Sequence, residues 1–373
     1  APALTRRSSP MTTRRAVLQW TTAALALAAA RTAFAAVERA KRPLDLLVLG
    51  GTGFLGPHQV EYALARGHRV TLFNRGKSAR DLYGNRVELL TGDRDARVGD
   101  GLKALQGTRR WDAVIDNSGY LPRHVRDSAE LLQDRTNRYA FVSTMAVYER
   151  GKPGSIDEAW PLLPLPDPEN EDETGRYGPL KAEGDRIVRA IYGKRATVVR
   201  PTFILGPGDD TYRYAYWQSR VAAGGTVLGP RADAAPLQYV DVRDLCPWIV
   251  TLVERDVGGA LNAAGPPLEW DAVLATMRAF ATAPVQIRRP PGALVTELKL
   301  NQPLVRGDEP RVRLDGRYAE RRGLEYRPLE DTTRAHHEWW QKLTPEQRAD
   351  AEAKRWPTPE QERAALARMA TAG

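Results

Sequence analysis

The apolar positions in the first two-thirds of the chain follow two alternating patterns. Short runs of consecutive apolar residues, typical of buried strands, are separated by longer segments whose apolar residues recur every three or four positions, as on one helix face. The pattern predicts strands at 45–49, 69–73, 87–90, 113–116, 138–143 and 196–200, and helices at 58–66, 123–135 and 179–192. Such alternation predicts an α/β fold with a doubly wound parallel sheet of the Rossmann type.

Three glycines connect the first predicted strand to the first predicted helix. They are Gly50, Gly53 and Gly56, in the spacing G-x-x-G-x-x-G. Gly50 can adopt backbone angles that other residues avoid, Gly53 exposes bare backbone to a pyrophosphate, and Gly56 lets the helix lie close to the strand. The free N–H groups and positive dipole end of the helix then face the phosphates. This strand–turn–helix setting predicts a dinucleotide site formed by Gly50, Thr52, Gly53, Phe54, Leu55 and Gly56.

The end of the second predicted strand carries basic residues where an NAD-binding domain usually has an acid. It reads Asn74, Arg75, Gly76, Lys77. A carboxylate would hold the ribose 2′-hydroxyl of NAD and repel a 2′-phosphate, whereas Arg offers the phosphate a planar fork of donors. These residues favour NADP, and NAD stays possible because both cations could be solvated loop charges. After the third strand, Asp93 is either an acceptor for the adenine amino group or a turn former.

A Tyr-x-x-x-Lys pair lies at the start of the helix predicted at 179–192. Tyr177 and Lys181 are four residues apart, so they share one helical face. A nearby ammonium favours the phenolate, so Lys181 is expected to lower the pKa of the Tyr177 phenol towards a range useful for acid–base catalysis. Thr144, just after the fifth strand, is expected to hydrogen-bond the substrate oxygen. The pattern predicts proton transfer by Tyr177, with Lys181 also binding the cofactor ribose.

With these motifs the chain resembles the extended short-chain dehydrogenase/reductase family, in its NAD-dependent epimerase/dehydratase branch. The resemblance covers nearly all of 44–330, and its carriers are 50–56, 92–93, 142–148, Tyr177 with Lys181, 200–207 and 239–245. It implies an enzyme that transfers hydride at a carbinol or carbonyl carbon of a small, for example sugar-like, substrate. It also implies that Thr144 is the catalytic hydroxyl. The cofactor would be flanked by Asn117 and Ser118 and positioned through backbone groups of Pro201 and Thr202.

Two stretches, 70–77 and 200–230, also resemble the chloroplast stem-loop-binding proteins, a non-enzymatic RNA-binding offshoot of the family. The alternative function is therefore a non-catalytic dinucleotide-binding or RNA-binding protein. That offshoot does not keep the Tyr–Lys pair intact, whereas this chain has both Tyr177 and Lys181. The pair favours an enzyme with a small-molecule substrate and no nucleic-acid partner.

The remaining chain divides by composition. Residues 44–265 form the predicted NAD(P)-binding domain, and 266–343 form a smaller C-terminal substrate lobe to which 203–235 contribute. The segment 344–373 is a charged, helix-prone tail. Within 212–220, three tyrosines, a tryptophan and two arginines either line the substrate pocket or pack a helix against the sheet. The pocket interpretation assigns substrate contacts to Arg213, Tyr214 and Trp217.

Residues 1–35 have the features of a twin-arginine signal peptide. Arg14 and Arg15 precede an alanine-rich apolar stretch at 16–30, an A-x-A site follows at 33–35, and the segment contains no Asp or Glu. The stretch is too short and too weakly apolar to anchor the chain in a bilayer. We therefore expect a periplasmic or secreted protein that is exported folded and has no membrane anchor once the signal is removed.

Charge, cysteine content and histidine spacing bear on nucleic-acid binding, disulfides and metal sites. The net charge of +9 falls to about +4 when the five arginines of 1–35 are removed, which is too mild to indicate nucleic-acid binding. The single cysteine, Cys246, excludes an intrachain disulfide and is expected to be a small buried apolar residue. The five histidines show no metal-ligand spacing, so no metal site is predicted. A homodimer is compatible with the sequence.

Overall fold

The computed structural model describes residues 37–77, 82–150, 154–167, 170, 172, 174–307, 312–354 and 357–371. The predicted signal peptide at 1–35 lies outside these residues. Among the described helices, none has both the length and the apolar character needed to cross a membrane.

A seven-stranded parallel sheet forms the centre of the fold. Its order is β11-β7-β5-β4-β1-β2-β3, so the chain winds outwards in both directions from β1. The strands of the chain are β1 Asp45–Leu49, β2 Arg69–Asn74, β3 Glu88–Thr91, β4 Trp111–Asp116, β5 Thr136–Val142, β6 Gly154–Ile156, β7 Ala196–Pro201, β8 Phe203–Leu205, β9 Gly225–Leu228, β10 Tyr239–Asp241, β11 Gly259–Ala263, β12 Val285–Arg288 and β13 Val312–Leu314.

Helices cover both faces of this sheet, and each face has its own apolar core. On one face α1 packs beside α5, and on the other α2 packs beside α3. The helices are α1 Leu55–Ala65, α2 Pro122–Leu132, α3 Tyr177–Tyr192, α4 Arg213–Ala222, α5 Val242–Glu254, α6 Trp270–Arg278, α7 Gly292–Glu297, α8 Arg317–Arg321, α9 Leu329–Gln341, α10 Pro345–Ala353 and α11 Pro359–Thr371. The arrangement confirms the predicted Rossmann-type α/β fold.

The six predicted strands are present, with boundaries shifted by at most two residues at either end. Among the elements of the main sheet and its covering helices, the edge strand β11 and the helix α5 were not predicted; the short strands outside the main sheet and the helices α6 to α9 were not predicted either. The sequence of β11, Gly-Ala-Leu-Asn-Ala, contains no apolar run that would predict a strand. Its backbone forms a strand because it pairs in parallel with β7. The helix α5 carries Pro247 in its interior, a residue that normally ends a helical pattern. Its neighbour Cys246 is fully buried, as predicted.

The C-terminal part of the chain forms a second core beside the carboxyl ends of the main strands. Short parallel pairs join β8 to β10 and β9 to β12, and α4 and α6 pack over them. A third pair joins β6 to β13. The predicted charged tail contains α10 and α11, and both pack against the rest of the protein. The sequence-based division assigned most residues of this second core to a substrate lobe.

Candidate active site

A cleft of about 640 Å³ opens at the carboxyl ends of β1, β2, β4 and β5, where ligands bind in open parallel sheets. Most of the cofactor and catalytic residues predicted from the sequence line this cleft. The predicted residues that line it are Gly50, Thr52, Gly53, Phe54, Leu55, Asn74, Arg75, Lys77, Asp93, Asn117, Ser118, Tyr177, Lys181 and Arg213.

The glycine turn fits a bound phosphate group. Gly50 has φ +86°, and a Cβ there would lie 2.8 Å from the Ser118 Cβ. A Cβ at Gly56 would lie 2.2 Å from the backbone carbon of Gly51, so this glycine permits close helix packing and does not itself line the cleft. A Cβ at Gly53, by contrast, would meet no protein atom within 4 Å. The space left free at Gly53 faces the cleft, which is where a pyrophosphate needs bare backbone.

The N-terminus of α1 completes this cradle. Phe54 at the N-cap position provides no side-chain hydrogen bond, and the first turn of the helix contains no acidic residue. Gly56 donates its N–H to the Gly53 oxygen at 3.1 Å and Pro57 has no N–H, so the helix offers an anion the Leu55 N–H and its positive dipole end. No carboxylate in the first turn opposes an anion.

Basic side chains line the cleft at the end of β2. The Asn74 side-chain oxygen accepts a hydrogen bond from the Gly76 N–H at 2.9 Å, which fixes the turn. Arg75 and Lys77 are exposed and line the cleft. The Arg75 guanidinium has no hydrogen bond or ion pair with a described residue, so it is available to a ligand phosphate.

A buried network supports the next part of the cleft. Arg94 donates to both carboxylate oxygens of Asp116, at 2.6 and 3.0 Å, and to the Ser118 hydroxyl at 3.1 Å. The Tyr139 hydroxyl donates to the same carboxylate at 2.7 Å. Burial raises the Asp116 pKa, but the Arg94 charge outweighs burial and leaves this pKa below its usual value. The network holds the turn that carries Asn117 and Ser118 against the cleft.

Two of the predicted cofactor residues are partly engaged within the protein. The Asp93 carboxylate accepts a hydrogen bond from the Asp95 N–H at 3.0 Å, so it does form a turn, although it also lines the cleft. The Asn117 amide exchanges two hydrogen bonds with Gln59 of α1, at 2.6 and 3.1 Å. Asn117 therefore links β4 to the helix of the glycine turn.

The Tyr–Lys pair has a geometry that the sequence did not predict. Lys181 is buried, and its ammonium donates to the carbonyl oxygens of Gly119 and Val142 at 2.9 and 2.7 Å. Tyr177 stays 47% exposed at the mouth of the cleft. Burial lowers the pKa of Lys181 to about 7, and the Asp116 carboxylate opposes this shift.

The pKa of the Tyr177 phenol depends on neighbours other than Lys181. Burial raises its pKa, while a hydrogen bond with the Thr144 hydroxyl and the charge of Arg213 lower it in part. Solvent moderates the effect of burial because nearly half of the side chain is exposed. The expectation that Lys181 lowers this pKa is not met, because the ammonium is bonded to backbone carbonyls; the cation that acts on Tyr177 is Arg213.

The cleft lining does not include five other residues assigned from the sequence, which are Thr144, Pro201, Thr202, Tyr214 and Trp217. The Thr144 hydroxyl oxygen accepts a hydrogen bond from the Ala146 N–H at 3.2 Å. Thr202 is buried, with its N–H bonded to the Ala263 oxygen at 3.0 Å, and Pro201 has no N–H to offer. Tyr214 and Trp217 are also buried. The Tyr214 hydroxyl shares a hydrogen bond with the Thr333 hydroxyl at 2.7 Å, and Trp217 Nε1 donates to the Pro303 oxygen at 2.7 Å. For these two aromatic residues the correct interpretation is helix packing, since no side-chain surface remains for a substrate. Of the three residues assigned to substrate, Arg213 lines the cleft.

Ser143 is a cleft residue that the sequence motifs did not identify. Its side chain lines the cleft, and its buried hydroxyl has no hydrogen-bond partner in the structure. A buried hydroxyl without a partner is costly unless a ligand or water satisfies it. Its position directly before Thr144 at the carboxyl end of β5 was the available signal.

Within the described ranges, no group of three or more His, Cys, Asp or Glu side chains could hold a metal ion.

Comparison with known proteins agrees with this geometry. Residues 46–264 match the model of the NAD dependent epimerase/dehydratase family. The chloroplast stem-loop binding protein of 41 kDa b from Arabidopsis thaliana is 27% identical over 213 residues, which are 54% of this chain and 52% of that protein. UDP-glucose 4-epimerase 4 from Oryza sativa subsp. japonica is 28% identical over 173 residues, 39% and 44% of the two chains. The chain thus spans about half the length of the curated relatives it matches.

Among solved structures, the Bordetella bronchiseptica enzyme WbmG, in complex with NAD and UDP, superposes with a TM-score of 0.61. It is 18% identical and covers 81% of this chain and 96% of its own, so the likeness concerns the fold. The family model, by contrast, matches more than half of the chain and includes the glycine turn, Tyr177 and Lys181. The chain belongs to the NAD-dependent epimerase/dehydratase family.

Proposed function

We propose that the protein is an NAD(P)-dependent oxidoreductase or epimerase that transfers hydride at a carbinol or carbonyl carbon of a small, sugar-like substrate. The observation that carries the proposal is that one cleft contains both the phosphate cradle at Gly53 and the Tyr177 phenol. The free space at Gly53 and the unpartnered Ser143 hydroxyl support a bound dinucleotide. When bound, the nicotinamide accepts or supplies the hydride.

Tyr177 is the proton donor and acceptor in this proposal. Its raised pKa keeps the phenol protonated at neutral pH, which suits donation to a substrate oxygen. In the reverse direction, the phenolate is favoured by the Arg213 charge and by the Thr144 hydroxyl. Thr144 also orients the substrate oxygen, while Lys181 binds the cofactor ribose. The Lys181 ammonium lies between two carbonyls, and a pKa near 7 means that its charge state varies around neutrality.

Charge supports the choice of substrate class. Arg213 lines the cleft, and its guanidinium lies 5.5 Å from the Phe203 ring centroid. Arg306 lies 5.2 Å from the same centroid. Of these three residues Arg213 lines the cleft, and its charge suits a substrate with an anionic group. UDP-glucose is therefore the first probe, with product formation followed by chromatography in the presence of NADP⁺ or NAD⁺. Absence of conversion across UDP-sugars, free sugars and simple alcohols would contradict the proposal.

For the cofactor, we propose that NADP(H) is preferred over NAD(H), because Arg75 and Lys77 line the cleft at the end of β2. Replacing Arg75 by Ala removes a charge-assisted contact worth about 1.5–3 kcal/mol, so NADPH affinity should fall about tenfold to a hundredfold. NADH affinity should change little. Fluorescence titration of both cofactors tests this, with Arg110→Ala, an exposed arginine outside the cleft, as control. Equal affinity of the wild type for both cofactors would contradict the NADP preference.

For localisation, we propose export of the folded protein by the twin-arginine route, with a mature N-terminus at or near Ala36. The support is the sequence pattern of 1–35. Replacing Arg14 and Arg15 together by Lys should leave the precursor in the cytoplasm, as fractionation and immunoblotting would show. The matched control replaces Arg6 and Arg7, which lie outside the pattern. Export of the Arg14/Arg15 variant at the wild-type level would show that the signal is assigned wrongly.

A further inference from the structure

One wall of the cleft is the loop at 206–212, which connects β8 to α4. Gly208, Asp210 and Thr211 line the cleft, and Arg213 follows as the first residue of α4. The Arg213 guanidinium donates through Nε to the Thr211 hydroxyl at 2.9 Å. The position of this charge, which acts on the Tyr177 phenol, therefore depends on the loop.

The conformation of the loop is constrained near both of its ends. Near its start, the His58 ring of α1 hydrogen-bonds the Pro207 oxygen through Nε2 at 3.0 Å. Near its end, Tyr212 has φ +55°, a left-handed conformation that is unfavourable for a bulky residue. Such a conformation persists only where the surroundings impose it.

The surroundings of Tyr212 come from the C-terminal segment. The Tyr212 ring stacks on Trp339 at 6.2 Å and 19°, and it meets the edge of Trp340 at 6.3 Å and 77°. The Lys354 ammonium lies 4.9 Å from the ring centroid and donates to the Asp210 oxygen at 3.2 Å. The contacts thus reach both the strained residue and a residue of the cleft wall.

The last helix, α11, is itself anchored to α4 and β9. The buried Glu362 carboxylate accepts hydrogen bonds from Arg220 Nε at 2.8 Å and from the Leu228 N–H at 3.1 Å. Ala365 packs in a small apolar core with Leu228. Residues 339–354 and 359–371 all lie beyond 46–264, the part that matches the family model. The attachment of the loop is therefore a feature of this chain outside the shared domain.

We propose that the C-terminal segment 339–354 fixes the loop at 206–212 and thereby positions Arg213 beside Tyr177. Tyr212 and Lys354 are positioning residues in this arrangement, because they act on the cleft through the loop. The inference deepens the proposed function, on which its kinetic consequence rests. The structural consequence, that the loop loosens when the contacts are removed, does not depend on any activity.

The test compares Tyr212→Ala with Tyr212→Phe in the full-length protein. Hydrogen–deuterium exchange of peptides covering 206–213 reports on the loop, and KM and kcat with UDP-glucose report on the cleft. Tyr212→Ala removes the stacked ring, so exchange in the loop and KM should each rise about tenfold, while NADPH affinity stays within about twofold of the wild type. Tyr212→Phe retains the ring and should restore both values. Lys354→Met should have the same effects as Tyr212→Ala in weaker form.

The control is Arg363→Ala, which removes an exposed pair with Glu360 on α11 and should change neither readout. Unchanged exchange at 206–213 in Tyr212→Ala would overturn the proposal. Faster exchange with unchanged KM and kcat would show that the loop does not position Arg213, which overturns it as well. If the wild type converts no substrate, the proposed function fails instead, and the exchange result alone decides whether the segment fixes the loop.

Discussion

Replacing Tyr177 by Phe should lower turnover by about a hundredfold to ten-thousandfold, the usual contribution of a positioned acid–base group. The phenol is the group in the cleft that is exposed to a substrate and whose pKa is lowered in part by the Thr144 hydroxyl and the charge of Arg213. The substitution removes one oxygen and leaves the ring, so NADPH affinity and melting temperature should remain at wild-type values. Steady-state kinetics with UDP-glucose, together with cofactor titration, measure both effects.

Tyr120 provides the matched control. It lines the same cleft and is 51% exposed, so Tyr120→Phe also removes a phenol oxygen from this cleft. Its turnover should stay close to that of the wild type. If Tyr177→Phe retained turnover, the acid–base role would belong elsewhere. A protein that bound the cofactor and converted nothing in either form would support the non-catalytic alternative.

Replacing Asp185 by Ala should lower the free energy of unfolding by about 3–5 kcal/mol, because it leaves a buried charge without its partner. Asp185 on α3 accepts a hydrogen bond from Arg200 Nε on β7 at 2.8 Å, and both side chains are fully buried. Arg200 also donates to the Tyr148 hydroxyl at 2.7 Å, so the pair ties the helix that carries Tyr177 to the sheet. Denaturant unfolding followed by circular dichroism measures the change.

The double variant Asp185→Leu with Arg200→Met is the control for this prediction. It replaces both charges by apolar groups, so most of the lost stability should return, since an unpaired buried charge no longer remains. Arg189→Ala removes a more distant and half-exposed contact to the same carboxylate, and it should cost less than about 1 kcal/mol. A similarly small cost for Asp185→Ala itself would show that the pair does not hold α3 in place.

The fold could be predicted from the sequence because its signals are local. The buried strands β1 and β2 read as apolar runs, and three glycines mark the turn between β1 and α1. The elements that were missed depend on contacts distant in sequence. Strand β11 has little apolar character of its own and is defined by its pairing with β7, and α5 contains a proline that its packing against α1 tolerates.

The candidate site was predictable where it depends on local motifs and not where it depends on contacts between distant segments. Motif spacing placed Tyr177, Lys181 and the glycine turn correctly at one cleft. It could not show that the Lys181 ammonium bonds to two backbone carbonyls, because these come from segments 39 and 62 residues away in sequence. Nor could it show that Trp217 is buried, since an aromatic helix looks the same whether it faces a pocket or a core. The contact between Tyr212 and the C-terminal segment likewise connects residues that no motif links.

Binding of a nicotinamide dinucleotide in this cleft can be tested by identifying the nucleotide that the folded protein retains. Purified wild-type protein is incubated with NADP⁺ and NAD⁺ together, freed of unbound nucleotide and denatured, and the released nucleotide is identified and quantified by mass spectrometry. We expect a stoichiometric amount of nicotinamide dinucleotide, with NADP in excess over NAD. Recovery of neither nucleotide above the level of a denatured control would contradict it.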